Sequence, residues 1–134
     1  MVLTKKINLL PLLLILLLLL NCNKSRSYER KCTDFHLGDF YAESSDDDGN
    51  TYRTTFSRNG SNIQIEEYDG KIDSSYIRWV NDCEMILSPV NPKKMSEKKN
   101  IFIKILTTND SSYTFEYSFL GQSDKFKGKA IKIR

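Results

Sequence analysis

Residues 112–119 alternate strictly between polar and aromatic side chains, and this pattern constrains the fold more than any other part of the chain. Aromatic residues fall at every second position from Tyr113 to Phe119, and polar residues lie between them. Successive side chains of a β-strand point to opposite faces, so a period of two predicts a strand with one buried and one solvated face. Such half-buried strands are typical of antiparallel sheets.

Similar alternation recurs from residue 33 onward, with turn residues between the runs. Asn59-Gly60 and Asp69-Gly70 are hairpin signals, because these residues tolerate positive φ. In the third run, Ile63 and Ile65 form one face against polar residues on the other. We predict eight strands, with approximate bounds 36–43, 51–58, 61–68, 71–80, a fifth strand through Cys83, Met85 and Leu87, then 100–107, 112–120 and 126–133.

Eight short antiparallel strands remove their exposed edges when they close into a barrel. The predicted fold is therefore all-β: a single antiparallel eight-stranded up-and-down barrel. A β-sandwich or a half-open barrel is the alternative.

The first residues have the order of an export signal. Lys5 and Lys6 precede an apolar run over residues 9–20. A positive segment, a short apolar segment and a processing site form a signal peptide. The run is shorter than the roughly 20 residues that span a membrane, and Pro11 disturbs an early helical turn. We predict a cleaved signal peptide over residues 1–21, with an uncleaved transmembrane anchor as the alternative.

Cys22, at the end of this run, resembles the cysteine of the bacterial lipoprotein lipobox, although Asn21 stands where Gly, Ala or Ser is usual. The resemblance implies lipidation of Cys22, with palmitate as a typical chain, and attachment to a membrane of the cell envelope. No acidic run follows Cys22, which favours the outer membrane. We expect a tether over residues 22–31 and a barrel domain over residues 32–134.

Charge and cysteine content narrow the possibilities further. Loss of the signal peptide leaves 18 basic and 17 acidic residues, which argues against a nucleic-acid partner. An odd number of cysteines in an exported chain needs an explanation. If Cys22 carries lipid, Cys32 and Cys83 remain to form one disulfide in an oxidising compartment. A metal site and a free thiol are the alternatives.

The sequence carries no recognisable catalytic set. His36 is the only histidine, and neither a Gly-rich phosphate loop nor an HExxH zinc motif occurs. The acidic run 46–50 lacks the EF-hand spacing and is interpreted as a turn. Glu66 and Glu67 are adjacent, so they point to opposite faces of a strand and do not form a carboxylate pair. We therefore predict a protein that is not an enzyme, with no cofactor and no metal.

An eight-stranded barrel either fills with side chains or holds one small ligand. An ordinary packed core is the alternative to a ligand cavity. The candidate lining residues are Tyr52, Phe56, Trp79, Met85, Tyr113, Phe115, Tyr117 and Phe119.

Residues 79–87 read Trp-Val-Asn-Asp-Cys-Glu-Met-Ile-Leu. This segment resembles a W-x-x-D-C-E-x-x-L motif of a group of small secreted or lipid-anchored bacterial proteins. Cys32, Phe35 and Gly38 match an early cysteine near a phenylalanine and a glycine in that group. The resemblance implies no activity. Its outline is similar to lipocalin-like barrels and to small barrel lipoproteins that inhibit lysozymes, a likeness of architecture alone.

Two functions are compatible with these features. The first is a lipid-anchored binding protein that holds a small apolar ligand in the barrel. The second is a protein-interaction lipoprotein, such as a periplasmic inhibitor or an envelope-assembly accessory. It would act through the lysine-rich loop 91–99 and the acidic loop 45–50.

Overall fold

The computed structural model of the chain describes residues 28–45 and 48–134. The predicted signal peptide, Cys22 and most of the tether lie outside the described residues, as do Asp46 and Asp47 of the acidic turn. Within the described part of the chain, no helix is both long enough and apolar enough to cross a membrane.

Eight antiparallel strands form one closed barrel in sequence order. Each strand pairs with the next, and β1 pairs with β8, where Ala42 lies opposite Ala130. The predicted up-and-down barrel is confirmed, and closure excludes the sandwich and the half-open barrel. The strands are β1 (Gly38–Ser45), β2 (Thr51–Arg58), β3 (Ile63–Tyr68), β4 (Lys71–Asn81), β5 (Glu84–Pro89), β6 (Ile101–Thr108), β7 (Ser112–Phe119) and β8 (Phe126–Lys132).

The two hairpin predictions have different outcomes. Asp69 and Gly70 have φ values of 50° and 72°, so this tight turn is confirmed. The prediction of a tight two-residue turn at Asn59-Gly60 was wrong. The connection runs over residues 59–62, and Asn62 has the positive φ, 56°. The Asn59 side chain accepts two backbone N–H bonds within this loop, which stabilises a longer turn than the dipeptide predicts.

The barrel has two different ends. One end, which we call the plugged end, holds the N-terminal described residues and the β2–β3, β4–β5 and β6–β7 connections. The other, the loop end, holds the remaining four connections. The two longest of these are residues 90–100, which include a 3₁₀ turn at Met95–Lys98, and residues 120–125.

A 3₁₀ turn at Cys32–Phe35 closes the plugged end, a feature that the sequence did not predict. Cys32 and Phe35 are each only 1% exposed. The Phe35 ring lies 5.1 Å from the Tyr113 ring, between centroids, and so packs inside the barrel. The predicted Cys32–Cys83 disulfide is present and joins this turn to the β4–β5 connection.

Strand β3 buries its polar face. Gln64 is 2% exposed, whereas Ile65 is 40% exposed on the outer surface. The register explains this orientation, because Gln64 lies opposite Arg58 of β2, and both point inward. Side chains alternate strictly along a strand, so placing Gln64 inside places Ile65 outside.

Candidate functional site

A partly enclosed cavity of about 200 Å³ lies inside the barrel between the plug and the loop end. It is smaller than the roughly 300–1,000 Å³ of pockets that hold drug-sized ligands. The cavity therefore fits only a small molecule. Its lining consists of Ala42, Ser44, Thr54, Phe56, Arg58, Gln64, Glu66, Leu87, Ile101, Ile103, Tyr113, Phe115 and Tyr117.

The cavity has two chemically different walls. The polar wall comes from β2 and β3 and consists of Thr54, Arg58, Gln64 and Glu66. The apolar wall comes from β5, β6 and β7 and consists of Leu87, Ile101, Ile103, Phe115 and Tyr117. A ligand in this cavity would contact hydrogen-bonding groups on one side and hydrocarbon or aromatic surface on the other.

Arg58 forms the floor of the cavity and is only 4% exposed. Its Nε donates to Gln64 Oε1 (2.8 Å), its Nη1 to the Phe35 carbonyl oxygen (3.0 Å) and its Nη2 to the Tyr113 hydroxyl (2.9 Å). Each guanidinium nitrogen thus has a protein acceptor. These bonds connect the polar wall to the plug, because Phe35 belongs to the plugging turn.

Aromatic rings surround the Arg58 guanidinium. Its Cζ lies 4.9 Å from the Phe56 ring centroid and 5.3 Å from that of Phe40, within the range of a cation–π contact. Trp79 and Tyr113 are also within this range. Arg58 is in none of the ion pairs found among the described residues. Its charge is therefore stabilised by neutral acceptors and ring faces, with Glu66 acting on it without a direct ion pair.

Glu66 is the only carboxylic acid among the lining residues. Burial raises the pKa of its carboxyl above the ordinary value of 4.5. A hydrogen bond from Gln64 and the charge of Arg58 partly oppose this effect, whereas repulsion by Asp73 adds to it. Gln64 Nε2 donates to Glu66 Oε1, so a hydrogen-bonded chain runs from Arg58 through Gln64 to Glu66.

Two tyrosines of β7 border the cavity, and burial raises the pKa of both hydroxyls. For Tyr113, the neighbouring Arg58 charge and hydrogen bond oppose this effect. A raised tyrosine pKa keeps the phenol neutral across the physiological pH range. The titratable charges on the lining are consequently those of Arg58 and Glu66.

The structure brings four of the eight predicted lining residues together in the cavity: Phe56, Tyr113, Phe115 and Tyr117. The other four contribute no surface to it. Met85 is fully buried, and Trp79 packs beside it, nearer the plug. Tyr52 is 40% exposed on β2, and Phe119 ends β7 beside Lys99 of the long loop.

Sequence reasoning missed the polar wall. One signal was available: Arg58 lies two residues after Phe56, so alternation places a charged residue on the buried face of β2. A charge in that position requires buried acceptors. Gln64, Tyr113 and the Phe35 carbonyl oxygen supply them. The place of Gln64 and Glu66 inside the barrel depends on the β2–β3 register, which the sequence pattern did not fix.

The single histidine belongs to the plug. The His36 ring stacks on Trp79 with centroids 3.6 Å apart, and its Nε2 donates to the Asp82 carbonyl oxygen (2.8 Å). This residue is not among those that line the cavity. Within residues 28–45 and 48–134, no three His, Cys, Asp or Glu side chains are grouped so that they could hold a metal ion.

None of the known protein-family models matches the chain, and no curated protein matches it in sequence.

Proposed function

We propose that this chain is a non-enzymatic binding lipoprotein of the bacterial envelope that holds a small ligand with an apolar body inside its barrel. The observation that carries the proposal is the partly enclosed cavity with one apolar and one polar wall. Cavities lined mainly by apolar side chains, with a few convergent polar groups, are the usual form of small-molecule sites.

The cavity exists because the side chains on one side of the barrel interior are too small to fill it. Small side chains occupy the inner face of β1 at Ala42 and Ser44, opposite the bulkier residues of β5–β7. The buried core clusters continue into the cavity wall, because Phe56, Tyr113, Leu87 and Ile103 belong to both. The cavity is therefore a gap that the packed core borders, on the side of the small β1 residues.

Membrane attachment through Cys22 would determine which end of the barrel faces the membrane. The described chain enters at the plugged end, where Arg30 Nη1 donates to the Ile105 carbonyl oxygen (2.7 Å) and the Lys31 backbone N–H donates to Thr108 Oγ1 (2.9 Å). Eight peptide units from Cys22 to Arg30 reach at most about 30 Å. An acylated Cys22 would thus hold the plugged end near the membrane and leave the loop end accessible.

Attachment is tested by replacing this cysteine. Cys22→Ser should abolish incorporation of a palmitate analogue and release the protein from the membrane fraction, whereas Asn23→Ser should change neither. Labelling that persists in Cys22→Ser would contradict lipidation at this residue.

Binding is tested with 2-phenylethanol, a small neutral probe with an apolar ring, added to the purified full-length protein. We expect amide NMR shifts concentrated at cavity residues. Ile101→Trp would fill the cavity from the apolar wall and should abolish these shifts. Its neighbour Phe102 does not line the cavity, so Phe102→Trp is the matched control and should bind normally. Equal binding by both variants, or no binding at 10 mM, would rule out a ligand cavity.

The alternative, an interaction through the loops, stays a prediction. Met95 is 77% exposed in the lysine-rich loop, which is compatible with a contact surface. Asp46 and Asp47 of the acidic loop lie outside the described residues. The cavity therefore provides the stronger support.

A further inference from the structure

The cavity also carries information about the charge of its ligand. We propose that the ligand is a small primary amine, bound as an ammonium ion between the Glu66 carboxylate and the aromatic rings of the cavity. This inference rests on the proposed function, since it assumes that the cavity is a binding site.

The first argument is that the one cation of the lining is already engaged. All three Arg58 nitrogens donate to protein acceptors, and aromatic rings pack around the guanidinium. An anionic ligand at the floor would find only the two remaining N–H groups, or would have to compete with Gln64, Tyr113 and the Phe35 carbonyl oxygen for the other three. Since the Phe35 bond also holds the plug, such competition would disturb the packed end of the barrel.

The second argument is that the one carboxylate of the lining retains acceptor capacity. Glu66 Oε1 accepts from Gln64, and a carboxylate offers about four lone-pair sites on two oxygens. No ion pair within the described residues includes Glu66. An ammonium group supplies three donors and a positive charge, and it would offset the burial that disfavours the charged carboxylate.

A third argument comes from the surroundings of Glu66. Asp73 lies directly opposite Glu66 in the β3–β4 register, on the same face, and its charge acts on Glu66, although its side chain is largely exposed and also pairs with Lys71 (3.6 Å). Phe115 and Tyr117 bring aromatic rings to the lining, whereas the Phe56 ring already packs on Phe40 and on the Arg58 guanidinium. Ring faces attract cations, so carboxylate and rings favour the same sign of ligand charge. A ligand carboxylate placed beside Glu66 would be repelled by its charge.

The test uses three probes with similar phenyl-bearing skeletons: 2-phenylethylamine, 2-phenylethanol and 3-phenylpropionate. Calorimetric titration of the full-length protein at pH 7.5 should give the amine at least tenfold higher affinity than the alcohol. Glu66→Gln keeps an acceptor for Gln64 but removes the charge. This variant should lose at least tenfold in amine affinity and keep its alcohol affinity within about twofold. Glu67→Gln, one residue away on the outer face, is the matched control and should bind all three probes as the wild type does.

The outcomes separate this inference from the proposed function. If the alcohol binds as tightly as the amine, or the carboxylate binds best, the cavity is a binding site but the amine assignment is wrong. If Glu66→Gln and Glu67→Gln lose amine affinity equally, the charge effect is not local to the cavity and the assignment is also wrong. If none of the probes binds at 10 mM, the proposed function itself fails.

Discussion

The plugged end and the loop end of this barrel have the same strands but different interiors. At the plugged end, Cys32, Phe35, Phe40 and Tyr113 are at most 2% exposed, and a disulfide joins two segments distant in sequence. Toward the loop end, the interior holds a cavity, and burial disfavours the charged form of the lining residue Glu66. Stability is therefore concentrated at one end, and the groups suited to binding lie toward the other.

This difference shows how a small domain can tolerate a polar cavity. A charge or an empty space inside a barrel costs free energy that must be offset by packing elsewhere. Arg58 lies where the two regions meet, because it bonds both to Gln64 of the polar wall and to Phe35 of the plug. Variants at the two ends should separate stability from binding.

The largest effect should come from the plug. Cys32→Ser combined with Cys83→Ser removes a cross-link between residues 51 apart in sequence. The chain-entropy treatment assigns such a cross-link about 4 kcal/mol, a large part of the stability of a domain of this size. Denaturant unfolding of oxidised wild type and the double variant measures this loss. At denaturant-free conditions, the folded fraction should still bind 2-phenylethanol. A loss of unfolding free energy below about 1 kcal/mol would show that the remaining plug contacts hold this end of the barrel without the disulfide.

An intermediate effect should come from Gly128, where the two regions are coupled through β7 and β8. A Cβ atom at this position would lie 2.6 Å from Phe115 Cζ and 3.1 Å from the Glu43 carbonyl oxygen. Gly128→Ala should therefore displace the Phe115 ring and destabilise the fold by about 1–3 kcal/mol, as overpacking does. Because Phe115 lines the cavity, probe affinity should fall as well.

Gly60→Ala is the matched control for this change, since a Cβ there meets no atom within 4 Å. Thermal unfolding and NMR titration of both variants measure the two effects. If Gly128→Ala lowers stability and leaves probe affinity unchanged, the packing of Phe115 does not determine the shape of the cavity.

The smallest effect should come from Glu66, and it should depend on pH. The pKa of this carboxyl is raised in the folded protein, so the folded state holds its proton more tightly than the unfolded state does. The resulting stabilisation is present below the ordinary value of 4.5 and is lost as the pH rises through the raised pKa. Glutamine does not ionise, so Glu66→Gln should not lose stability as the pH rises.

We therefore expect Glu66→Gln to match the wild type near pH 4 and to exceed it by less than about 1 kcal/mol at pH 8. Unfolding free energies measured across this pH range test the sign. Glu67→Gln, which changes a carboxyl on the outer face, should not show the same gain. A Glu66→Gln protein that is less stable than wild type at pH 8 would mean that the ionised carboxylate is favourably paired in the fold.

The architecture was predictable because the period of two is a local property. Strand β2 matches its predicted bounds, Thr51–Arg58, and the aromatic row of β7 supplies three of the residues that line the cavity. The disulfide prediction followed from counting cysteines in a chain that was predicted to be exported. Each of these inferences uses information contained within one strand or in the composition.

The site was less predictable because it depends on pairings between strands. The alternation in β3 separates Ile65 from Gln64 but does not show which of them faces inward. That choice is made by Arg58 across the register, which needs an acceptor inside the barrel. The plugging turn was missed for a similar reason, since its four residues have no periodicity and are held by contacts distant in sequence.

The seam between β1 and β8 sets an order for folding. Phe40 pairs with Lys132, and the Asp39 carbonyl oxygen accepts from the backbone N–H of Ile133, so most of the domain lies between the paired segments. Contacts of such long sequence separation form late, because chain entropy must be overcome before they add stability. The chain can therefore assemble its hairpins in sequence, but it cannot enclose the cavity until β8 has been synthesised and has paired with β1.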